Sequence, residues 1–390
     1  MSEWQTDVLE NLVSTPITYG VVKPGDFLEN GIKLIRGGDV YKGKISQTLR
    51  TITPELSKQY QRTILEGGEL IVSLVGNPGE VALVPKVLAG ANLARQVGLV
   101  RLKNNIYSNF VLYYLMSPQG VGQLSSKVMG SVQQVINLAD LRKVEIQIPP
   151  IEEQKAISSV LSSLDDKIDL LHRQNTTLEG MAETLFRQWF VEEAQEDWEE
   201  YKVSDFAEHL KQGVNPAQNP LIEYHHYSLP AFDENQCPVF ELGAGILSNK
   251  YRVLENTILV SKLNPRFPRI WAIQNLPSTN SVCSTEFQVF KPKQDNLYAY
   301  LYFLFGSSQA RDELEMAASG TSGSHQRVRP EDMLNITTQL PSISKAKEFS
   351  EITQPYIDKI SANRKQIQTL EKLRDNLLPK LMMGEARVEF

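Results

Sequence analysis

Polar side chains stand in two sets of predicted turns, and their types suit hydrogen bonding to nucleic acid. An Arg guanidinium can bind guanine O6 and N7 with two hydrogen bonds, and an Asn or Gln amide can bind adenine N6 and N7 in the same way. Such residues also cap turns or cover a solvated surface, so no single position decides between these roles. The candidate positions for base or phosphate contact are Arg36, Asn77, Arg95, Gln96, Gln133 and Gln134 in the first half of the chain, and Lys262, Asn264, Arg266, Arg269, His325, Gln326 and Arg327 in the second.

Sequence motifs for catalysis or metal binding are missing from the chain. It contains no GxxxxGK[ST] phosphate loop, no GxSxG elbow and no HExxH zinc motif. Cys237 and Cys283 form no CxxC pair, so we expect neither a disulfide framework nor a zinc site. His225-His226 is the remaining acid-base or metal candidate, but adjacent strand residues point to opposite faces. We therefore expect no catalytic residue, metal or cofactor in this chain.

Two long predicted helices must position the turns, and they are copies of each other. Residues 151–191 match residues 343–383 after a shift of 192 positions, with identities such as Asp166/Asp358. Apolar residues recur in steps of three and four, which is the period of helices that pack together. We predict that the copies pack on each other around a pseudo-two-fold axis. The predicted seam consists of Ile157, Leu161, Leu164, Ile168, Leu171, Leu178 and Leu185 with Ile360, Ile367, Leu370 and Leu377.

Three polar or helix-breaking residues interrupt this apolar helical pattern. Asn175 and Asn363 occupy seam positions, where a buried amide can fix the register of two helices. Pro355 falls inside the second copy, where it would remove a helical hydrogen bond. We therefore predict a short helix followed by a long one in the second copy.

The remaining sequence predicts two α+β units with the same order of elements. Short apolar runs alternate with glycine- and proline-rich turns, and each unit then has a dense apolar run typical of a buried helix. The turns after matched strands differ, with Gly76 and Gly79 in one unit and Arg266 and Arg269 in the other. The predicted boundaries are 1–148 and 198–341 for the two units, and 149–197 and 342–390 for the helices.

Charge and hydropathy limit the class of protein without deciding it. The net charge is −6, yet residues 1–150 sum to +3 and residues 151–197 to −7. Nucleic-acid binding needs a local basic face and not a basic average, so this charge distribution permits it. There is no apolar run of membrane-spanning length and no export signal at the start, so we expect a cytoplasmic protein without a membrane partner.

The sequence resembles the specificity (S) subunit of type I restriction-modification systems. The resemblance rests on the duplication, on the strand 69–73 leading into Gly76-Asn77-Pro78-Gly79, and above all on residues 148–157. That last segment reads IPPIEEQKAI and opens a long Leu-rich helix. The second helix opens with LPSISK and lacks the Glu-Gln pair, which questions whether both helices engage their partners identically.

This resemblance implies a function and a set of partners. Residues 1–148 and 198–341 would be two target recognition domains that read the halves of an asymmetric, bipartite double-stranded DNA target. The two helices would form an antiparallel coiled coil that spaces them. Two methyltransferase (modification) subunits and the restriction (motor nuclease) subunits would dock on this chain. Those partners would carry S-adenosylmethionine, ATP and Mg.

Other classes of protein also fit the residues. One alternative is a two-domain scaffold that binds proteins, and another is an enzyme with an unrecognised site around His225. A third is the specificity subunit of a related system in which one partner chain combines restriction and methylation.

Overall fold

Residues 4–130, 134–318 and 326–388 are described by the computed structural model, and they fold into two compact units. The first unit contains residues up to 167 together with those from 370 onward, and the second contains residues 168–369. Both units combine short strands with helices, which confirms the α+β class. Each of the two long helices contributes a segment to both units.

The first unit contains strands β1 to β11 and helices α1 to α5, followed by the long helix α6. The strands are Gln5–Val8, Thr18–Tyr19, Ile32–Ile35, Val40–Tyr41, Lys44–Ile45, Arg50–Ile52, Leu70–Ser73, Val81–Leu83, Asn92–Leu93, Val97–Val100 and Glu145–Ile148. The helices are Leu9–Leu12, Pro54–Gln59, Ser108–Met116, Pro118–Ser126, Leu138–Arg142 and Ile151–Arg187.

The second unit continues with strands β12 to β22 and helices α7 to α11, and ends with the long helix α12. The strands are Glu199–Lys202, Ala207–Leu210, Gly213–Val214, Glu223–Tyr227, Val239–Leu242, Lys250–Arg252, Thr257–Ser261, Ile270–Ile273, Ser281–Ser284, Phe287–Pro292 and Thr337–Leu340. The helices are Val203–Phe206, Leu229–Asn235, Tyr298–Gly306, Ser308–Ala317, Pro330–Leu334 and Ile343–Met382.

The central sheet has the same topology in both units. Its order is β2-β10-β7-β8 in the first and β13-β21-β18-β19 in the second, with antiparallel pairing throughout. The middle strands β7 and β10 are buried along their whole length, which explains why their sequences are continuous apolar runs. The units differ in a second sheet, which is β6-β3-β9 in the first and β14-β17-β20-β15-β16 in the second.

A short apolar helix joins the central sheet to the long helices within each unit. In the first unit, α3 shares one hydrophobic cluster with β7 and with Ile157, Leu161 and Leu381. In the second unit, α9 shares a cluster with β18 and with Phe186 and Phe349. Six of the nine residues of α3 and seven of the nine residues of α9 are buried, so most of the surface of each helix faces the core.

The long helices pair in an antiparallel sense. Within the second unit, the Asn363 side-chain amide donates to Asn175 Oδ1 at 2.8 Å, while Phe349 stacks edge-on against Phe186 at 5.5 Å between ring centroids. Residues further along α6 therefore contact residues nearer the start of α12, as in an antiparallel pair. The predicted seam residues are all buried or half-buried, and Asn175 and Asn363 are 8% and 0% exposed.

The predicted break at Pro355 is wrong, because α12 is continuous from Ile343 to Met382. A proline inside a helix costs roughly 3 kcal/mol through its lost hydrogen bond and ring clash. Pro355 is exposed, so water can reach the backbone that it leaves unpaired. Thr353 and Ile357 on either side are buried and hold the helix against the core.

The two helix starts differ inside the fold. Gln154 is 1% exposed, and its amide donates to the Pro149 carbonyl at 2.8 Å and accepts from the Tyr107 N–H at 2.8 Å. The corresponding residue of the second copy is the buried Ala346. Gln154 forms its hydrogen bonds inside the first unit and not at the surface. The absence of the Glu-Gln pair from the second copy is therefore a difference in internal packing.

The amide pair in the seam predicts a specific stability pattern. N363L alone should lower the free energy of unfolding by about 1–3 kcal/mol, because Asn175 then loses its buried partner. N175L/N363L should recover most of that loss, since two apolar side chains replace two polar ones. Urea unfolding of the full chain measures both. A double variant as unstable as the sum of its single variants would contradict the interpretation.

Candidate nucleic-acid interface

Three loops meet at one end of the central sheet in the first unit. The Leu74 N–H donates to the Gln96 carbonyl at 2.7 Å, and the Ile136 N–H donates to the Leu74 carbonyl at 2.9 Å. Val75 forms an antiparallel bridge with Val135. Residues 74–77, 95–96 and 134–136 thus form one surface, which we call the first loop junction.

The second unit builds an equivalent surface with different side chains. The Lys262 N–H donates to the Glu286 carbonyl at 2.8 Å, and the Val328 N–H donates to the Lys262 carbonyl at 3.0 Å. Leu263 forms an antiparallel bridge with Arg327. Residues 262–269, 285–286 and 326–328 form the second loop junction.

A buried serine supports each junction in the same way. The hydroxyl of Ser73 donates to the Val75 carbonyl at 3.3 Å, and that of Ser261 donates to the Leu263 carbonyl at 3.3 Å. In the first unit the support includes Gly37, where an added Cβ would lie 1.7 Å from the Val75 carbonyl oxygen. Backbone groups and two serines therefore build the frame in both units, and other side chains of the junctions, such as Arg95 and Arg266, take no part in it.

Arg95, Gln96 and Gln134 are available for recognition in the first junction. Arg95 is exposed, and its side chain has no hydrogen bond or ion pair within the described part of the chain. Gln96 is half-buried and lines a cleft of about 340 Å³ with Arg95, Tyr19 and Val135. Gln134 is exposed, whereas Gln133 lies outside the described residues.

Arg36 and Asn77 are engaged within the first unit. The Arg36 guanidinium donates to both carboxylate oxygens of Asp39 at 3.1 and 2.9 Å. This hydrogen bonding raises the pKa of Arg36 and closes the turn before β4. The Asn77 side-chain amide donates to the Val40 carbonyl at 3.2 Å, which links the turn after β7 to the same strand.

The second loop junction contains basic side chains with and without an ion-pair partner among the described residues. Lys262, Asn264 and Gln326 are half-buried, and Asn264 has a positive φ of 54°. The exposed Arg266 lies 5.9 Å from the ring centroid of Phe267. His325 lies outside the described residues.

Two arginines of the second junction form ion pairs. The Arg269 guanidinium donates to both oxygens of Asp233 at 2.6 and 2.9 Å, and this hydrogen bonding raises its pKa. Arg327 donates to Glu286 at 3.2 and 3.3 Å, with its side chain still 47% exposed. Arg269 therefore holds the loop onto α8, while Arg327 remains accessible to a ligand.

Exposed aromatic residues at the junctions were not among the predicted contacts. Tyr19 is 39% exposed beside Arg95, and Phe267 is 60% exposed beside Arg266. Tyr41 is 55% exposed at a hairpin turn whose next residue, Lys42, has φ of 46°. The Lys42-Gly43 turn between short strands could have indicated an exposed Tyr41 from the sequence. Tyr19 could not have been found in this way, because its position depends on the pairing of β2 with β10.

His225 and His226 lie side by side on β15, where His225 is buried and His226 half-buried. Burial lowers the pKa of both side chains, and His226 Nδ1 lies 3.1 Å from Glu241 Oε1. No group of three or more His, Cys, Asp or Glu residues able to hold a metal occurs in the described ranges. Burial also raises the pKa of the Cys283 thiol to about 12, which disfavours the reactive thiolate. No helix in the described residues is long and apolar enough to cross a membrane.

Two similar α+β units that present different basic, amide-rich loops on one frame define a sequence-specific DNA-recognition protein. The family described as the type I restriction modification DNA specificity domain matches residues 8–180 and 195–372. The chain belongs to this family, and it is the specificity subunit of a type I restriction-modification complex and not a catalytic one.

Individual relatives agree with the family match along the chain. The type I restriction enzyme MjaIX specificity subunit of Methanocaldococcus jannaschii is 25% identical over 376 residues, covering 88% of this chain and 84% of that protein. The EcoKI specificity subunit of Escherichia coli K12 is 21% identical over 408 residues, covering 96% and 87%. The crystal structure of the S subunit from M. genitalium is similar in fold, with a TM-score of 0.64 at 14% identity over 97% of this chain and 96% of that one.

Arg95 and Arg36 offer a matched test of the first junction. R95A should weaken binding of the assembled complex to its target about tenfold and reduce the salt dependence by about one counterion, without loss of stability. R36A should instead lower the thermal stability, because the half-buried turn loses the two guanidinium hydrogen bonds to Asp39. Fluorescence anisotropy at several salt concentrations and thermal unfolding separate the two effects. Equal DNA affinity for R95A and wild type would exclude Arg95 as a contact.

Proposed function

We propose that each unit reads one half of a bipartite DNA target through its loop junction. The observation that carries this proposal is the shared backbone frame with different side chains, because two different half-sites require two different sets of contacts. The recognition domains would span 1–148 and 198–341, and the helices 149–197 and 342–390 would separate them. The side chains assigned to contact are Arg95, Gln96 and Gln134 in the first junction and Lys262, Asn264, Arg266, Gln326 and Arg327 in the second.

An exposed stripe with an apolar residue at each end repeats in the two long helices and supports docking of two identical partner subunits. Met181 and Val191 are 51% and 49% exposed on or just after α6, and their repeat equivalents Leu373 and Met383 are 44% and 42% exposed. Thr184 and Gln188 lie between the first two, and Asn376 and Lys380 lie between their equivalents. Exposed helix faces normally carry charge, so a nearly uncharged stripe in both copies is typical of a binding surface.

A cleft lies beside each stripe. In the second unit, a cleft of about 540 Å³ is lined by Thr184, Val191 and Ser308. In the first unit, a cleft of about 600 Å³ is lined by Met383 and Pro118. Val191 corresponds to Met383 and Ser308 to Pro118, whereas most other lining residues of the two clefts do not correspond. The repeated residues at the edges of the two clefts are therefore the part that identical partners could share.

The docked partners are two methyltransferase subunits, and restriction subunits complete the complex. S-adenosylmethionine, ATP and Mg would be held by those subunits, because this chain supplies recognition. The complex would act on DNA in the cytoplasm.

Methylation mapping tests the recognition proposal. The chain is expressed with its cognate methyltransferase subunit in a host without DNA methylation, and modified adenines are located by sequencing. We expect one split motif of two short defined blocks around a fixed gap. Exchange of residues 198–341 for the same domain of a relative should change one block only. A stable complex without any modified motif would contradict the proposal, as would a change in both blocks.

Charge substitutions in the stripe test partner docking. M181E and L373E should each remove one of two methyltransferase subunits, because burying an unpaired carboxylate in an apolar interface is costly. Native mass spectrometry of the purified complex counts the subunits. T176E places the same charge on another exposed face of α6 and should leave both subunits bound. Two bound subunits in both stripe variants would place the docking surface elsewhere.

A further inference from the structure

A tight hairpin turn stands beside the first loop junction. Strands β4 and β5 pair with Tyr41 opposite Lys44, which leaves Lys42 and Gly43 as the turn. Their φ values are 46° and 78°, as in the type I′ turn that matches the twist of a hairpin. Asn and Asp adopt such a positive φ at lower cost than lysine does. The turn therefore carries a basic side chain that its backbone does not favour.

Contacts with the central sheet fix this turn at the same end as the junction. The Lys42 N–H donates to Glu80 Oε2 at 2.5 Å, and Gly43 forms a bridge with Ala82 of β8. Strand β8 runs antiparallel to β7, so the start of β8 lies at the end of β7 where the junction begins. The hydrogen bond from the Asn77 side chain to β4 joins the hairpin to the junction itself. The turn thus extends the first loop junction beyond the edge strand β8.

The second unit has a tether at the same position, but it holds a different element. The Ser73 N–H donates to the Glu80 carbonyl at 2.7 Å, and the Ser261 N–H donates to the Arg269 carbonyl at 2.9 Å, so Glu80 and Arg269 occupy equivalent places. Glu80 holds the hairpin, whereas Arg269 holds α8 through Asp233. Both elements follow equivalent strands, because β3 and β15 each pair in parallel with the strand before the central β10 or β21.

The two tethered elements differ in the charge that they expose. The hairpin presents Tyr41, Lys42 and Lys44, which are all exposed, whereas α8 presents the exposed Asp233 and Glu234. DNA phosphates attract cations and repel carboxylates. The hairpin therefore complements a phosphate backbone in charge, and α8 does not.

Tyr41 and Lys42 lie together at the turn. Tyr41 is 55% exposed, and the Lys42 amine lies 5.3 Å from the centroid of its ring. That amine has no ion-pair partner among the described residues. A phenolic hydroxyl and an ammonium group can both donate hydrogen bonds to phosphate oxygens. The two side chains can therefore contact the same stretch of a DNA backbone.

The width of the central sheet indicates which part of the DNA the hairpin meets. Tyr19 on β2 and the hairpin at β8 lie at opposite edges of the sheet, three strand spacings or about 14 Å apart. The major groove of B-form DNA is about 12 Å wide. When Arg95 and Gln96 between these edges face the bases, the hairpin lies over the phosphates at one border of the groove.

We propose that the β4–β5 turn binds the DNA backbone through Tyr41 and Lys42, beside the half-site that the first loop junction reads. This inference rests on the proposed function of that junction and adds a contact that the acidic α8 does not supply in the second unit. Phosphate contacts position a protein on DNA without reading sequence. The turn therefore contributes to affinity and leaves the recognised motif unchanged.

Variants of the assembled methyltransferase complex test the proposal by fluorescence anisotropy, with a labelled duplex that carries the methylated split motif. K42Q should weaken binding about fivefold and lower the salt dependence by about one counterion, and Y41F should weaken it about twofold through the lost hydroxyl. Neither variant should change the motif or the thermal stability, since both side chains are exposed. Wild-type affinity in both variants would overturn the proposal, as would a changed motif.

Lys86 provides the matched control. It is exposed and follows β8 at the opposite end of the central sheet from the hairpin. K86Q removes the same charge and should bind the duplex as the wild type does. A loss in K86Q equal to that in K42Q would show a general effect of net charge and would reject the contact. Loss of a methyltransferase subunit from K42Q in native mass spectrometry would assign the turn to a protein partner and would also reject it.

Neutral phosphates locate the contact on the DNA. A methylphosphonate replaces one phosphate at a time around the two blocks of the motif. Beside the block assigned to the first unit, one such replacement should weaken wild-type binding but leave K42Q binding nearly unchanged, because the variant has already lost that contact. A phosphate with this behaviour beside the other block, or at no position, would contradict the proposal.

These measurements separate the hairpin contact from the proposed function. A wild-type complex that methylates a split motif, with K42Q and Y41F binding that motif equally well, rejects only the hairpin contact. A complex without a methylated motif rejects the recognition proposal. In that case, a lower salt dependence of K42Q on a duplex of unrelated sequence still supports the hairpin contact, and an equal salt dependence rejects both.

Discussion

The burial of one short apolar helix in each unit is the constraint on which the rest of the structure depends. Helix α3 lies in the cluster that contains both β7 and the ends of the long helices, and α9 has the same place in the second unit. Neither helix could be stable alone in water, since each has only nine residues and most of them are apolar. Within each unit, the central sheet and the adjoining segments of the long helices therefore share one hydrophobic core, which supports the loop junction.

Each short helix also connects to the coiled coil by a tyrosine and an ion pair, but the two units use opposite polarity. In the first unit, the Tyr113 hydroxyl donates to Asp165 at 2.8 Å, and Asp165 pairs with Arg374 at 2.9 Å. In the second, Arg364 pairs with Glu179 at 3.0 Å, and burial raises the pKa of Tyr302, whose ring lies near this pair, to about 12. These residues stand at different positions of the repeat, so each unit stabilises the contact of its short helix with the long helices by its own polar residues.

Periodicity predicted the parts of the fold that depend on burial. The strands Leu70–Ser73 and Thr257–Ser261 and the seam helices follow directly from apolar spacing. The break at Pro355 failed because local propensity was overridden by packing around it. The role of a loop arginine such as Arg269 could not be predicted from the sequence. Its partner Asp233 is 36 residues away in the sequence and comes close only in the folded unit. The meeting of three loops in each junction depends on isolated bridges that leave no periodic signal.

The loop junctions have a consequence for how such proteins evolve. Their frame consists of backbone hydrogen bonds and two buried serines, so a new set of loop side chains can be inherited without a new fold. Recombination between related genes at the helix boundaries would exchange a complete reading surface in one event. Under the proposed function, such an exchange would change one half of the DNA target in a single step.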